Sequence, residues 1–544
     1  MSWKIYGPSL MLFLIFTCIW FGMIRTIENE QFDYFTFTTW GLTNEILSSN
    51  RIIFRPYTNV PYESGLRQHA NEYSILFFPH TFLAISYIIT SIPYQYYSLI
   101  IVLSYTIIFY LITKYLLYHK FAVFLITLLL IIYHQTYPTF LFFYISIGVL
   151  FYWYTLFLLL HYHRSALRLN SLVLTILLLL TASNWSYYTS TFMIAVTSFG
   201  TFLILLMTKL LSSRLSLQSF AITGLKLSLT TFIGATILLL FLNPILLSLR
   251  GPRLGLDFTY VLTFLLSEYM HWNLPFRGDE EYFVDAVYPI LYKISIASVF
   301  LLVTLLVTLI VRYKVNIVKM IFKDKELSLS TVFLLTLFIL TMMHNLVYAI
   351  FLYPSIHTYT HQVLRTFAIG VLIVLMIKVI YKIRTYHRNR FLLITYVLAM
   401  LLILAPLYRC IVASINIDHI FPIRFYGTSA SSIIFLVEKT ENELFLFTDS
   451  RIAGYIYYRL TSLDKSIDIH AQGFLAPPFN YTDNCRKNME CYYLIMKSFE
   501  IMPLRIAQAP WMFIKPLGRK YHLIVTENSL IYNQGLSAIL IVSN

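Results

Sequence analysis

About eleven apolar runs, each close to the roughly 20 residues that cross a bilayer, follow one another through the first 414 residues. They cover 8–24, 97–118, 121–137, 139–160, 168–183, 191–211, 227–248, 288–312, 330–352, 363–381 and 391–414. Backbone amides inside hydrocarbon must bond within their own segment, so these runs are predicted to be helices. Only 12% of the 544 residues are charged and 58% are hydrophobic, whereas soluble domains carry about 25% charged residues. The expected fold is a mainly α, polytopic transmembrane bundle of about 11–12 spans.

The formal net charge of +15 does not indicate a nucleic-acid partner. Lys and Arg gather in short loops: Lys114 with Lys120, Arg164 with Arg168, Lys209 through Lys226, Arg312 through Lys325, and Lys378 through Arg390. That is the distribution the positive-inside rule expects of cytoplasmic turns. It places the loops around 184–190, 249–287 and 353–362 outside, together with everything after residue 414. The first apolar run lacks small residues at a cleavage position (Trp20, Phe21 and Met23 stand there), so it reads as a retained anchor. Residues 73–92 are apolar enough to span, but a crossing there would put the 25–73 loop on the same side as Lys114 and Lys120. Either the segment re-enters, with Pro79 breaking its helix, or the short 114–120 turn departs from the rule.

Residues 415–544 change character. A strand, a turn at Thr448-Asp449-Ser450 and a short helix are predicted over 441–460, with further strands in YHLIVTEN and SAILIVSN. A small extracytoplasmic α/β domain follows from this pattern. Cys485 and Cys491 flank a polar stretch and could close a short disulfide in an oxidising compartment. Asn480-Tyr481-Thr482 forms a glycosylation sequon in the same region.

The chemistry-bearing residues collect in the outer loops. Glu28, Glu30 and Asp33 closely follow the first span. From Tyr34 to Leu47 apolar and polar residues mix, which suits a helix lying in the interface with its aromatic residues among the headgroups. A carboxylate at that level, Asp33, can serve as general base to an incoming nucleophile, or it is a solvated acid at a helix end. His69 and Glu72 precede the 73–92 segment and are candidates to orient a substrate. Arg365, with His361 close by, opens a span at the outer headgroup level. Its planar fork suits a phosphate, whether of a substrate or of the surrounding lipid. Arg250 and Arg253 stand in an outer loop against the positive-inside trend and form a second anion-binding candidate. Walker, Rossmann, HExxH and GxSxG motifs are missing from suitable contexts, which removes ATP-driven transport, dinucleotide redox and zincin chemistry.

An anchor span, an acid (Asp33), a mixed stretch ending in a turn at Asn50-Arg51, and then Glu72-Tyr73 ahead of Pro79-His80 resembles the C-type (GT-C) membrane glycosyltransferases. These include protein O-mannosyltransferases, aminoarabinose transferases and oligosaccharyltransferases. The resemblance covers roughly the first 120 residues by pattern and the remainder by layout. It implies that Asp33 is the catalytic base or a metal ligand. It also implies a polyprenyl- or dolichyl-phosphate-linked sugar donor and a glycan, lipid or protein acceptor at the outer face. The chain lacks the Asp-x-Asp pair after the first span; Glu28-x-Glu30 is the nearest equivalent and the weak candidate for a divalent ion. No obligatory cofactor is expected. The Trp-Trp-Asp signature of the oligosaccharyltransferases is missing, which argues against that branch. Two other classes stay open, a transporter or flippase for lipid-linked saccharides and a non-enzymatic cell-envelope assembly factor. The first would need a polar path at mid-membrane and related halves, and neither stands out.

Overall fold

The computed structural model describes residues 34–52, 77–116, 120–135, 143–161, 169–211, 215–241, 287–314, most of 372–383, 388–415, several positions over 432–439, and the segments between 444 and 541 named below. The described chain is mainly helical. Its helices are α1 (Tyr34–Ser49), α2 (Phe77–Thr90), α3 (Tyr97–Leu116), α4 (Lys120–Gln135), α5 (Phe143–His161), α6 (Leu169–Leu211), α7 (Leu215–Phe241), α8 (Val287–Arg312), α9 (Arg388–Ile415) and α10 (Ser450–Ser462). The spans expected at 8–24 and 330–352 lie outside the described residues, as does most of 363–381.

A straight helix over 169–211 would be about 64 Å long, twice the thickness of a bilayer core. This run doubles back. The Thr191 hydroxyl donates to the Leu180 carbonyl at 3.3 Å, although the two residues are 11 apart in sequence. On a straight helix they would be separated by about 16 Å. The reversal falls where the sequence predicts the 184–190 loop. Hydrogen bonds tie this end of the hairpin to its neighbours: Ser183 Oγ donates to the Gly148 carbonyl of α5 at 3.1 Å, and Asn184 Nδ2 to the Leu238 carbonyl of α7 at 3.2 Å. Near the same region Tyr105 of α3 donates to the Ser146 carbonyl at 2.6 Å. Such bonds hold helices together where apolar surface gains nothing by leaving lipid.

One continuous apolar core runs through α3, α4, α5, α6 and α9, with Phe109, Trp153, Leu156, Leu180 and Leu402 among its members. The outward faces are equally apolar. Ile89 is 75% exposed, and Leu210, Phe300 and Val311 stand out from α6 and α8 in the same way. Exposed isoleucine and leucine on that scale would aggregate in water and are stable against lipid chains. Among the described residues, Ser190–Met207 is long and apolar enough to cross a membrane unaided, and shorter apolar helices accompany it. The chain is a membrane protein.

Two elements differ from expectation. Pro79 stands at the third position of α2. A first-turn proline forfeits no intrahelical bond, so it is accommodated where the helix begins rather than breaking it. The helix stops instead at Ser91, whose φ of 55° places it in the left-handed region, two residues before Pro93. The second difference concerns α1, which is enclosed by protein rather than resting with an open face among headgroups. Every residue from Thr36 to Thr43 is buried. Asn50, with φ 54°, ends it; asparagine tolerates that conformation better than other side chains with a Cβ.

Beyond residue 444 the chain forms β1 (Leu444–Thr448), β2 (Ile469–Gly473), β3 (Glu490–Met496), β4 (Leu504–Ile506), β5 (Ala509–Ile514), β6 (Ser529–Asn533) and β7 (Ser537–Ile541). Five of them make a mixed sheet in the order β2-β1-β3-β7-β6, and β4 and β5 pair separately. β1 and β2 run parallel, with Leu444 opposite Ile469, so α10 is the crossover such a pair requires. YHLIVTEN lies outside the described residues. Cys491 is carried by β3, opposite Phe445 of β1; Cys485 lies outside the described residues, as does the sequon.

Candidate functional site

The first-loop helix α1 is the described element closest in sequence to the candidate acid, since its first residue, Tyr34, directly follows Asp33. It is held from several sides. α2 and α5 pack against it within the membrane-domain chain, and α10 covers it from the C-terminal region.

The contact between α1 and α10 is aromatic at one end and polar at the other. Phe37 meets Tyr455 edge-on, with ring centroids 4.7 Å apart, and Trp40 meets Tyr458 at 5.7 Å. Trp40 also lies 5.8 Å from Tyr94, which belongs to the short 3-10 turn Tyr94–Tyr96 ahead of α3. One turn further along α1, Asn44 and Glu45 collect three hydrogen bonds. The Tyr457 hydroxyl donates to Glu45 Oε2. Asn44 Nδ2 donates to Thr461 Oγ1 at 3.5 Å, and Asn44 Oδ1 accepts from the Tyr94 hydroxyl at 2.7 Å. Between the two ends Gly41 sits against the Tyr457 ring, where a Cβ would overlap Cδ1 and Cε1. Glycine is required by this close approach of the α1 backbone.

Arg459, on the last turn of α10, extends the cluster. Its Nε donates to the Tyr455 hydroxyl at 2.8 Å, and its guanidinium stands 5.2 Å from the Tyr455 ring centroid and 5.5 Å from that of Tyr458. The stacking holds a cation on rings that themselves touch Phe37 and Trp40.

Of the residues singled out in the sequence, Asp33, Glu28, Glu30, His69, Glu72, Arg250, Arg253, His361 and Arg365 lie outside the described residues. Pro79 and His80 are described, and both are buried at the start of α2. Among the described residues no group of three or more His, Cys, Asp or Glu could hold a metal ion. The residues that sequence reasoning passed over are Asn44, Glu45 and Tyr457. The available signal was slight: Glu45 is the single carboxylate of α1, placed beside the helix's single amide.

No protein-family model and no curated protein matches the chain. Among solved structures it is similar to the apo form of an oligosaccharyltransferase from Archaeoglobus fulgidus, over 92% of this chain and 70% of that one, at 10% identity and a TM-score of 0.49. It is also similar to ArnT from Cupriavidus metallidurans in the apo state, over 98% of each chain, at 9% identity and a TM-score of 0.44. ArnT bound to undecaprenyl phosphate is similar over 99% of this chain and 98% of that one, at 9% identity and a TM-score of 0.41. These similarities assign no residue a role.

Proposed function

We propose that this chain is a membrane glycosyltransferase of the GT-C kind. It moves a sugar from a polyprenyl- or dolichyl-phosphate carrier to an acceptor at the outer face of the membrane. The observation that carries the reading is the enclosure of α1. Consecutive Cα atoms are about 3.8 Å apart, so Asp33 is tethered to a helix that is packed on several sides and bonded at Asn44 and Glu45. A general base must hold its oxygen within hydrogen-bond reach of the proton it removes. An acid hung from a clamped helix meets that demand better than one on an untethered loop.

In this reading Asp33 takes the proton of the acceptor hydroxyl as the oxygen attacks the anomeric carbon. The bond from that carbon to the phosphate oxygen breaks, and the lipid phosphate leaves. Its negative charge is received by Arg365, with His361 beside it, or by Arg250 and Arg253. A guanidinium suits this role because it stays protonated and grips two phosphate oxygens at once. His69 and Glu72 orient donor or acceptor, and the C-terminal sheet with α10 lies on the extracytoplasmic side.

The test is release of lipid phosphate. Purified protein in lipid is given a polyprenyl-phosphate-linked hexose with a hydroxyl acceptor, and free polyprenyl phosphate is measured. An enzyme produces it stoichiometrically with the glycosylated acceptor. A flippase or an assembly factor leaves the donor intact, and an intact donor across a panel of sugars would overturn the proposal.

A further inference from the structure

We propose that α10 is a positioning element of the transfer site, acting through Tyr457 on Glu45; this inference rests on the function proposed above. Tyr457 and Glu45 are separated by 412 residues, so their contact joins the C-terminal region to the first loop. Two further bonds reach the adjacent residue, Asn44: one from Thr461 of α10, at 3.5 Å, and one from Tyr94 beside α3, at 2.7 Å.

Packing alone would not need these groups. The aromatic contacts of Phe37 and Trp40 with Tyr455 and Tyr458 already bury this face of α1. Apolar contacts tolerate small slides and rotations, because their attraction is non-directional. Hydrogen bonds do not, since they weaken steeply with distance and angle. Bonds from two different elements, converging on two consecutive residues, hold both the rotation of α1 about its axis and its shift along that axis. A part-buried carboxylate is also a costly way to fill space, because an apolar residue of similar size packs at lower cost. Its use at position 45 is explained by register. The Gly41 approach adds to this, because it lets the Tyr457 ring sit directly on the α1 backbone.

The helix that receives these bonds begins at the residue after Asp33. Misplacing a reacting group by about 1 Å can lower a rate by roughly 100-fold. Releasing the Tyr457–Glu45 contact is therefore expected to slow the chemical step while leaving donor binding, which draws on residues elsewhere, largely as it was.

The experiment is a double-substitution cycle on sugar transfer, with kcat and donor KM measured separately and the unfolding midpoint recorded for each protein. Tyr457→Phe keeps the ring against Gly41 and removes only the donor hydroxyl. It is expected to lower kcat by about tenfold with KM within twofold and the midpoint close to wild type. Glu45→Gln retains an acceptor oxygen and should keep most of kcat, while Glu45→Ala should fall as Tyr457→Phe does. The pair Tyr457→Phe with Glu45→Ala should be no slower than either alone, because both remove one interaction. Additive losses, or an unchanged kcat in Tyr457→Phe, would overturn the positioning role and leave the transferase reading intact. Loss of kcat that merely tracks a lowered midpoint would overturn it as well. Wild-type protein that transfers no sugar removes the functional reading, and this inference falls with it.

Discussion

A methyl group at Gly41 would occupy the space of the Tyr457 ring, and one at Gly234 would meet Leu177 Cδ2. The two clashes differ in kind. Leu177 ends in a flexible branch that can swing aside, whereas the Tyr457 ring is bonded through its hydroxyl and packed on a helix backbone. Gly41→Ala is expected to cost about 1–3 kcal/mol, the usual range for overpacking, and Gly234→Ala less than about 1 kcal/mol. Unfolding midpoints in detergent check the order of the two. The residues at the candidate site were unevenly legible in sequence. Asp33 is a candidate in the sequence because it closely follows the first span, and it lies outside the described residues. Asn44 and Glu45 do not stand out, because their partners lie in α10 and beside α3. No local pattern announces a bond across 412 residues.

At the scale of elements, hydropathy places most helices well. Five of the predicted spans agree to within a few residues with α3, α4, α5, α8 and α9, since a lipid-facing backbone has no other way to satisfy its amides. Helix α7 begins at Leu215 rather than near 227, because a helix continues past the hydrocarbon through residues such as Ser216, Gln218 and Lys226. The burial of α1 departs further from the sequence pattern. Its threonines and aromatic residues read as an interfacial mixture, yet Thr36, Thr38, Thr39 and Thr43 are all enclosed, and Thr43 satisfies its hydroxyl on the Thr39 carbonyl at 2.8 Å. Threonine serves a crowded helix well for that reason. The same device crosses between α3 and α4, where the Thr113 and Thr127 hydroxyls meet at 2.6 Å. Thr113 also bonds the Phe109 carbonyl. Thr113→Val should therefore strand the Thr127 hydroxyl and cost about 0.6 kcal/mol, the average for such bonds in membranes, and no more than about 1.7 kcal/mol. Adding Thr127→Val should recover part of that loss. A double-substitution cycle on the unfolding free energy checks both statements, and a double variant worse than the sum of the singles would contradict them.

For the molecule as a whole, the apolar outer faces and the basic loops agree on a membrane setting, and the positive-inside pattern expects the C-terminal sheet outside. Ser462 is exposed at the end of α10. A Ser462→Cys protein in intact cells should react with a membrane-impermeant maleimide above the background of the four native cysteines. Labelling only after permeabilisation would invert the topology. Orientation matters because the proposed transfer takes place at the outer face, and the contact of α1 with the C-terminal helix α10 joins parts distant in sequence. That long-range assembly is the part sequence alone leaves unread, whereas the bundle itself follows from composition. The central claim is that Asp33 removes the acceptor proton in a sugar transfer from a lipid phosphate. It is tested most directly by comparing transfer rates of wild-type and Asp33→Asn proteins with equal membrane insertion and equal unfolding midpoints. A fall of about 100-fold to 10,000-fold is expected on losing a general base, and an unchanged rate would contradict the claim.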